Sequence, residues 1–386
     1  MKLFNVNNPV PDGKSCCQAP QAGFDLNKFP SVNTSLPGRE EWILGYIQTP
    51  FGSVPRVATV LTRKDVIGEI RCRLSSFRDT YRIKPGLYAA GYPDLHSDVY
   101  VSANYKLSFD KLRRELRYIS AWILVLDTNG INVWCAAGKG TFGTEELIRR
   151  MKKVNLDLIV NHRRIILPQL GSVGVRAGIV KQATGFRVIY GPVRAKDLPA
   201  FIRNGYKSEP GMRIVQFRFI DRLILTPMEL IPVFRQYPKF ALIILVIFGI
   251  GPAGIMYGSA FFWGMPFLVL GLISILTGAL LMPVLLPWIP FRAFSLKGLI
   301  IGTVTTVFFI ATGIVSIEER YLIAAACVLF PALSSFIALQ FTGATTFTGV
   351  SGVRRELKIS LPFYAAAIVV ALVFIILFKI NKWSYL

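Results

Sequence analysis

The chain has 386 residues, is 53% hydrophobic, and sets 44 Lys and Arg against 22 Asp and Glu, a formal net charge of +22. That length suits two or three domains, and five cysteines without a Cys-x-x-Cys pair exclude a ribbon-type zinc site and a ferredoxin-type cluster encoded by this chain. The basic charge would suit nucleic acid, but in so apolar a chain it reads better as a domain lying against an anionic membrane face, and no nucleic-acid partner is expected.

Residues 1–40 are polar and Pro-rich and read as a flexible arm without a core of its own. They hold Cys16 and Cys17, which are too close in sequence to bond each other easily. "EWILGYIQTPFGSVPRVAT" (Glu41–Thr59) opens the folded part. "VIGEIRCRLS" (Val66–Ser75) alternates as a strand with one wet face does, with Cys72 as a packing residue. "WILVLDT" (Trp122–Thr128) is a continuous apolar run that suits a strand buried on both faces. "TEELIRRMKKV" (Thr144–Val154) is an amphipathic helix with Thr144 as its expected N-cap. "RIILPQL" (Arg164–Leu170) is a second buried strand, and "VRAGIVKQATG" (Val175–Gly185) a helix ending at Gly185. "FRVIYGPV" (Phe186–Val193) is a strand, and "AKDLPAFIRNG" (Ala195–Gly205) a helix stopped by Gly205. "RIVQFRFIDRLIL" (Arg213–Leu225) mixes alternating and continuous sections. Strands alternating with helices imply a mostly parallel sheet, which binds ligands at the carboxyl ends of its strands.

From Lys239 onward nine Lys and Arg and three Asp and Glu remain. Apolar runs cover roughly 240–262, 264–288, 298–317, 321–342 and 361–378, each near the ~20 residues a helix needs to cross a bilayer. Pro283 and Pro287 should kink or stop the second. The expected plan is an arm (1–40), a soluble α/β domain (41–236) and an all-α transmembrane domain of five helices (237–386). With the N-terminal half in the cytoplasm, the inner loops hold Arg292, Lys297, Arg354, Arg355 and Lys358, and the outer ones Arg320, Lys379 and Lys382. That excess places the α/β domain on the cytoplasmic side of the inner membrane. The first 30 residues lack the apolar core of a signal peptide.

"LDTNGINVWCAAGKG" (Leu126–Gly140) reads as the end of a buried strand running into a helix, so Asn132–Lys139 should lie just beyond a strand's carboxyl end. Gly138-Lys139 falls short of a phosphate loop, because Val133 stands where the first glycine belongs and Gly140 where Ser or Thr must follow the lysine. A nucleophilic Cys135 would gain from a helix start, but His162 is the one histidine downstream and nothing in the sequence brings it near. A metal-ligand cysteine is the third reading. Ala136, Ala137 and Gly138 would let backbone approach a large flat ligand, Trp134 would pack at its rim, and a thiolate suits a soft metal. Plain packing after a strand is the fourth. His96, in "DLHSDVY", does not complete the Asp-x-His-x-x-Gly signature of histidine-ligated cobalamin proteins, since Val99 takes the glycine's place.

"NVWCAAGKGTF" resembles the cap-helix signature of the HgcA family, the membrane-bound corrinoid proteins of microbial mercury methylation, and matches it from Asn132 through Lys139. "RIILPQLGSVGV" (Arg164–Val175), the run of membrane helices and "FTGATTFTGVSGVRRE" (Phe341–Glu356) extend the resemblance over about 41–386. The soluble half also resembles the corrinoid domain of the corrinoid iron–sulfur protein, which has neither the cysteine cap nor the membrane helices. The resemblance implies a Rossmann-like corrinoid-binding domain followed by the membrane domain. It makes Cys135 the lower axial ligand to cobalt in a base-off corrinoid of the cobalamin type, with Asn132, Val133, Trp134, Ala136, Ala137, Gly138 and Lys139 shaping the cap. It implies a methyltransferase that moves a methyl group from cobalt to inorganic Hg(II), forming methylmercury. It also implies a ferredoxin-like electron donor with two four-iron clusters, HgcB, and a methylated folate or another methyltransferase as methyl donor. A membrane-anchored corrinoid methyl carrier serving another acceptor, and a non-catalytic membrane adaptor, are the alternatives.

Overall fold

The structure, a computed structural model, describes residues 40–74, 76–252, 254–344 and 350–383. Cys16, Cys17, Thr345, Thr346 and Thr348 lie outside those residues. A hairpin comes first, β1 (Ile43–Thr49) against β2 (Gly52–Val57), followed by helix α1 (Arg63–Leu74). Then come β3 (Gly86–Ala90), β4 (Val99–Ala103), α2 (Lys106–Glu115), β5 (Ala121–Leu126), α3 (Val133–Lys139), α4 (Thr144–Lys153) and the short α5 (Leu156–Ile159). β6 (Arg164–Leu167), α6 (Ala177–Thr184), β7 (Arg187–Tyr190) and α7 (Leu198–Arg203) complete the α/β half.

Seven strands form one sheet in the order β1-β2-β3-β5-β4-β6-β7. β5, β4, β6 and β7 run parallel, while β3 pairs antiparallel to β5. The apolar run of β5 is explained by this position. Trp122, Leu124 and Leu126 join the core shared with α3, α4 and α6, and Ile123 and Val125 join the core shared with α2 and α7. Successive side chains of a strand point to opposite faces, so a strand covered on both must be apolar throughout.

Val66–Leu74, expected as a strand, is helical. The signal was Thr62-x-x-Asp65. The Thr62 N–H donates to Asp65 Oδ2 at 2.8 Å and the Asp65 N–H to Thr62 Oγ1 at 3.2 Å, a reciprocal capping box. Burial follows the helical spacing of Asp65, Gly68 and Cys72, with the apolar side chains of Val66, Ile67 and Ile70 outside. Cys72 is a packing residue on that face, and burial pushes its thiol pKa up. Asp65 pairs with Lys106 and Arg113, which tie α1 to α2. Thr144 is also displaced from its expected role: Gly143 is the N-cap of α4 and Thr144 its first helical residue.

Five helices are long and apolar enough to cross a membrane among the described residues. The first is α8 (Phe219–Gly249), which takes in most of Arg213–Leu225 and contains Pro227, Pro232 and Pro238. It begins some twenty residues before the hydropathy run because Arg222, Glu229 and Arg235 punctuate its first half, and it carries the expected boundary at 236/237 inside it. A two-residue hairpin, β8 (Ile250–Gly251) and β9 (Gly254–Ile255), leads to α9 (Tyr257–Leu276). A π-helical turn (Thr277–Leu281) and α10 (Met282–Leu285) extend α9, and the helix stops before Pro287. α11 (Phe294–Ala311), α12 (Arg320–Gln340) and α13 (Val350–Trp383) follow. Alternating direction puts the α9–α11 and α12–α13 connections at the end of the bundle where α8 leaves the sheet half.

Candidate functional site

The carboxyl ends of β4 and β5 lie side by side, and the loop between β5 and α3 is pinned across them. Asn104, buried one residue past β4, is the pin. Its Oδ1 accepts from the Thr128 N–H at 3.0 Å and the Gly130 N–H at 2.9 Å, and lies 2.8 Å from Thr128 Oγ1. Its Nδ2 donates to Asp127 Oδ1 at 3.2 Å. Asn129 (φ 56°) and Gly130 (φ 75°) both take the left-handed conformation that an Asn-Gly pair tolerates. Glu146 holds the loop from α4, where its Oε1 accepts from the Asp127 N–H at 2.8 Å. Burial opposes ionisation of Glu146, but that N–H together with Arg150 and Arg149 outweighs it and keeps the carboxyl below its usual range.

The loop delivers Asn132 as the N-cap of α3. Its Oδ1 accepts from the Cys135 N–H at 2.9 Å. Gly140 (φ 83°) ends the helix, and its N–H donates to the Ala137 carbonyl. The eight expected site residues divide by face. Val133, Ala136 and Ala137, at helical spacing, are buried in the core above the sheet. Trp134 and Cys135 are half-buried, and Gly138 and Lys139 are exposed. Cys135, Gly138 and Lys139 share the outer face, one helical turn apart. A Cβ placed on Gly138 would meet nothing within 4 Å.

The inner face of α3 sits on the turn after β6, and this seat is too close for side chains. A Cβ on Gly174 would lie 2.2 Å from the Phe142 carbonyl oxygen and 3.1 Å from Ala137 Cα. One on Gly171 would lie 2.5 Å from the Phe142 ring. Thr144 stitches the same turn to α4: its Oγ1 accepts from the Arg176 N–H at 2.9 Å, and its N–H donates to Gly174 O at 3.2 Å. Asn104 and Thr128 carry no local sequence signal for these roles. Asn129-Gly130 and the Gly171–Gly174 spacing carried the readable signals.

His162 stands at the other edge of the sheet. Its Nε2 lies 3.0 Å from Ser97 O, and these residues precede the parallel strands β6 and β4. A strand's length, about 16 Å at 3.3 Å per residue, separates that edge from α3. Cys135 and His162 therefore form no dyad. His96 is an exposed turn residue whose N–H donates to Asp94 Oδ1. Among the described residues no group of three or more His, Cys, Asp and Glu comes together that could hold a metal ion. A metal bound at Cys135 must therefore bring most of its own ligands.

Residues 65–202, from α1 to α7, match the family model for the CO dehydrogenase/acetyl-CoA synthase delta subunit. Over 129 residues the chain is 36% identical to the corrinoid/iron-sulfur protein large subunit of Moorella thermoacetica, covering 33% of this chain and 28% of that one. Over 139 residues it is 30% identical to the acetyl-CoA decarbonylase/synthase complex subunit gamma of Methanopyrus kandleri, covering 36% and 30%. Over 138 residues it is 28% identical to the corresponding subunit of Methanocaldococcus jannaschii, covering 35% and 28%. The chain thus spans less than a third of the length of these relatives, and α8–α13 lie outside the family match.

Proposed function

We propose that this chain is a membrane-anchored corrinoid protein that transfers a methyl group to inorganic Hg(II), and that Cys135 is the residue that would hold the corrinoid's cobalt. The observation that carries the reading is the exposed face of α3. A cysteine lies on it one turn from a glycine with open space above, at the carboxyl edge of a sheet whose sequence is similar to a corrinoid/iron-sulfur protein large subunit.

The residues present fit the group. A lone soft ligand with no supporting metal-binding cluster among the described residues suits a metal already held in a macrocycle. When bound, the corrinoid supplies the cobalt on which methyl transfer takes place. The chain's own work is positional. Asn132 fixes the first turn of α3 and with it the direction of Cys135. Gly138 leaves the face flat, Trp134 borders it, and Lys139 sets a cation beside it. Val133, Ala136 and Ala137 lock the helix from beneath. Gly171 and Gly174 let the β6 turn support it without a side chain between. Held by the Cys135 thiolate, a strong donor, the corrinoid would supply a methyl group suited to an electrophile such as mercuric ion.

The α/β half lies on the cytoplasmic side in this reading, where Arg292, Arg354, Arg355 and Lys358 flank the connections on its side of the bundle. Electrons come from a ferredoxin-like partner with two four-iron clusters, of the HgcB kind, and the methyl group from a methylated folate or a second methyltransferase. The similarity to a corrinoid/iron-sulfur protein large subunit and to an acetyl-CoA decarbonylase/synthase complex subunit gamma favours one alternative, a methyl carrier serving another acceptor in one-carbon metabolism.

The test loads purified full-length protein with methylated corrinoid without oxygen, adds mercuric ion, and follows the spectrum and the methylmercury formed. Transfer faster than from free cofactor, lost in Cys135→Ala and kept in Cys72→Ala, is the expected result. Stable loading with no faster transfer would leave the carrier alone, and no loading would end the corrinoid reading.

A further inference from the structure

Between α11, α12 and α13 lies a cavity of about 690 Å³ that plays no part in the site at Cys135. Leu296, Leu299, Val328, Ile359 and Phe363 give it apolar walls. Its end toward the α/β half is polar and closed on itself. The Ser295 N–H and Oγ donate to Glu356 Oε1 at 2.6 and 2.9 Å. Ser335 Oγ donates to Ser295 O at 2.6 Å and lies 2.9 Å from the Tyr364 hydroxyl. The one carboxylate at this end is therefore held by Ser295, not by a cation.

Arg355 lines the cavity and is exposed. Among the described residues Arg355, Arg354 and Lys358 have no ion-pair partner. A guanidinium with no ion-pair partner at the mouth of an apolar slot, the Glu356 carboxylate beside it being turned to Ser295, suits an anion carried on an apolar body. The slot runs along α13 from Gly352 to Ala367, about 22 Å at 1.5 Å per residue, which exceeds the ~15 Å depth of one leaflet.

We propose that this slot seats one acyl chain of an anionic phospholipid, drawn from the leaflet on the α/β side, with its phosphate on Arg355. The lipid fills the space between α12 and α13 that the protein leaves open, and holds the end of the bundle that faces the sheet domain. This assignment is independent of what binds at Cys135.

Native mass spectrometry tests it on the full-length protein in detergent, with equimolar dioleoyl phosphatidylglycerol and dioleoyl phosphatidylcholine. One phosphatidylglycerol is expected to survive activation that strips the remaining lipid. Arg355→Ala, a change at an exposed position, should lower the preference for phosphatidylglycerol about fivefold. Ala332→Trp, which fills the slot from α12, should remove the retained lipid of either kind. Equal retention of the two lipids by the wild type, with no effect of Arg355→Ala, would overturn the proposal, as would undiminished lipid on a folded Ala332→Trp protein.

Discussion

The Cys135 N–H donates to Asn132 Oδ1 at 2.9 Å, so the residue that starts α3 also aims the thiol one turn later. The cap satisfies one of the N–H groups left over at a helix start, and it fixes the backbone where Cys135 must be held. Asn132→Ala should cost about 1 kcal/mol, lowering the melting temperature by about 2–4 °C. Asn132→Asp, which keeps the acceptor, should lose little. Differential scanning calorimetry of the two variants checks this. Equal losses would show that the side chain does not cap the helix.

Two glycines on opposite sides of α3 should respond in opposite directions. Gly174→Ala puts a methyl group 2.2 Å from the Phe142 carbonyl oxygen and 3.1 Å from Ala137 Cα. Both are backbone atoms, so α3 must lift off its seat at a cost of about 1–3 kcal/mol. Gly138→Ala meets open space and removes a helix-interior glycine, which should stabilise the ligand-free protein by about 0.5–1 kcal/mol. If a flat cofactor lies on that face, the same methyl group should weaken its binding. Parallel melting and corrinoid-binding titrations separate the two effects, and a Gly138→Ala protein that binds at full strength would move the cofactor off this face.

Acid should loosen the site through Glu146. Its carboxyl titrates below the ordinary value of 4.5 in the folded protein, because the Asp127 N–H and two arginines outweigh its burial. The unfolded chain then binds more protons as pH falls, so this contribution is fully present above about 4.5 and is lost as pH drops through the lower folded value. Glu146→Gln removes that dependence while keeping an acceptor for Asp127. Urea unfolding followed by tryptophan fluorescence should show the variant less stable at pH 7, with the gap closing below pH 4.5. A gap that does not vary with pH would assign the loss to packing instead.

What the sequence displayed and what it hid divide along physical lines. β5 was legible because a strand covered on both faces has no polar positions to confuse its pattern, and α6 because Gly185 (φ 76°) ends it in the conformation glycine favours. α1 misled because its core face carries Asp65, Gly68 and Cys72 while Val66, Ile67 and Ile70 lie outside, an inverted pattern that only the Thr62–Asp65 cap betrays. The start of α8 was hidden by Arg222, Glu229 and Arg235, charges that lower hydropathy without breaking a helix. At the candidate site, Cys135 and its flanking glycine were visible as a motif. Asn104 was not, because its role comes from lying on a neighbouring strand, a relation that sequence spacing does not encode.

The same close approach of backbones that seats α3 also holds the membrane helices, where no hydrophobic effect drives helix against helix and small residues must do the work. Gly298 and Gly302 lie four apart on α11 and face α12. A Cβ at Gly298 would come 2.8 Å from Ser335 Cα, and one at Gly302 would come 3.0 Å from Pro331 Cα and 2.7 Å from Ser334 Cβ. Neither helix can yield locally, so Gly302→Val should force α11 and α12 apart and open the bundle. Gly258, on α9, meets nothing within 4 Å, and Gly258→Val should be tolerated. Unfolding in sodium dodecyl sulfate checks the pair: Gly302→Val should unfold at lower detergent fraction than the wild type, by an amount worth about 1–3 kcal/mol, and Gly258→Val should follow the wild type. Equal behaviour of the two variants would mean that α11 and α12 are held by contacts elsewhere along their length.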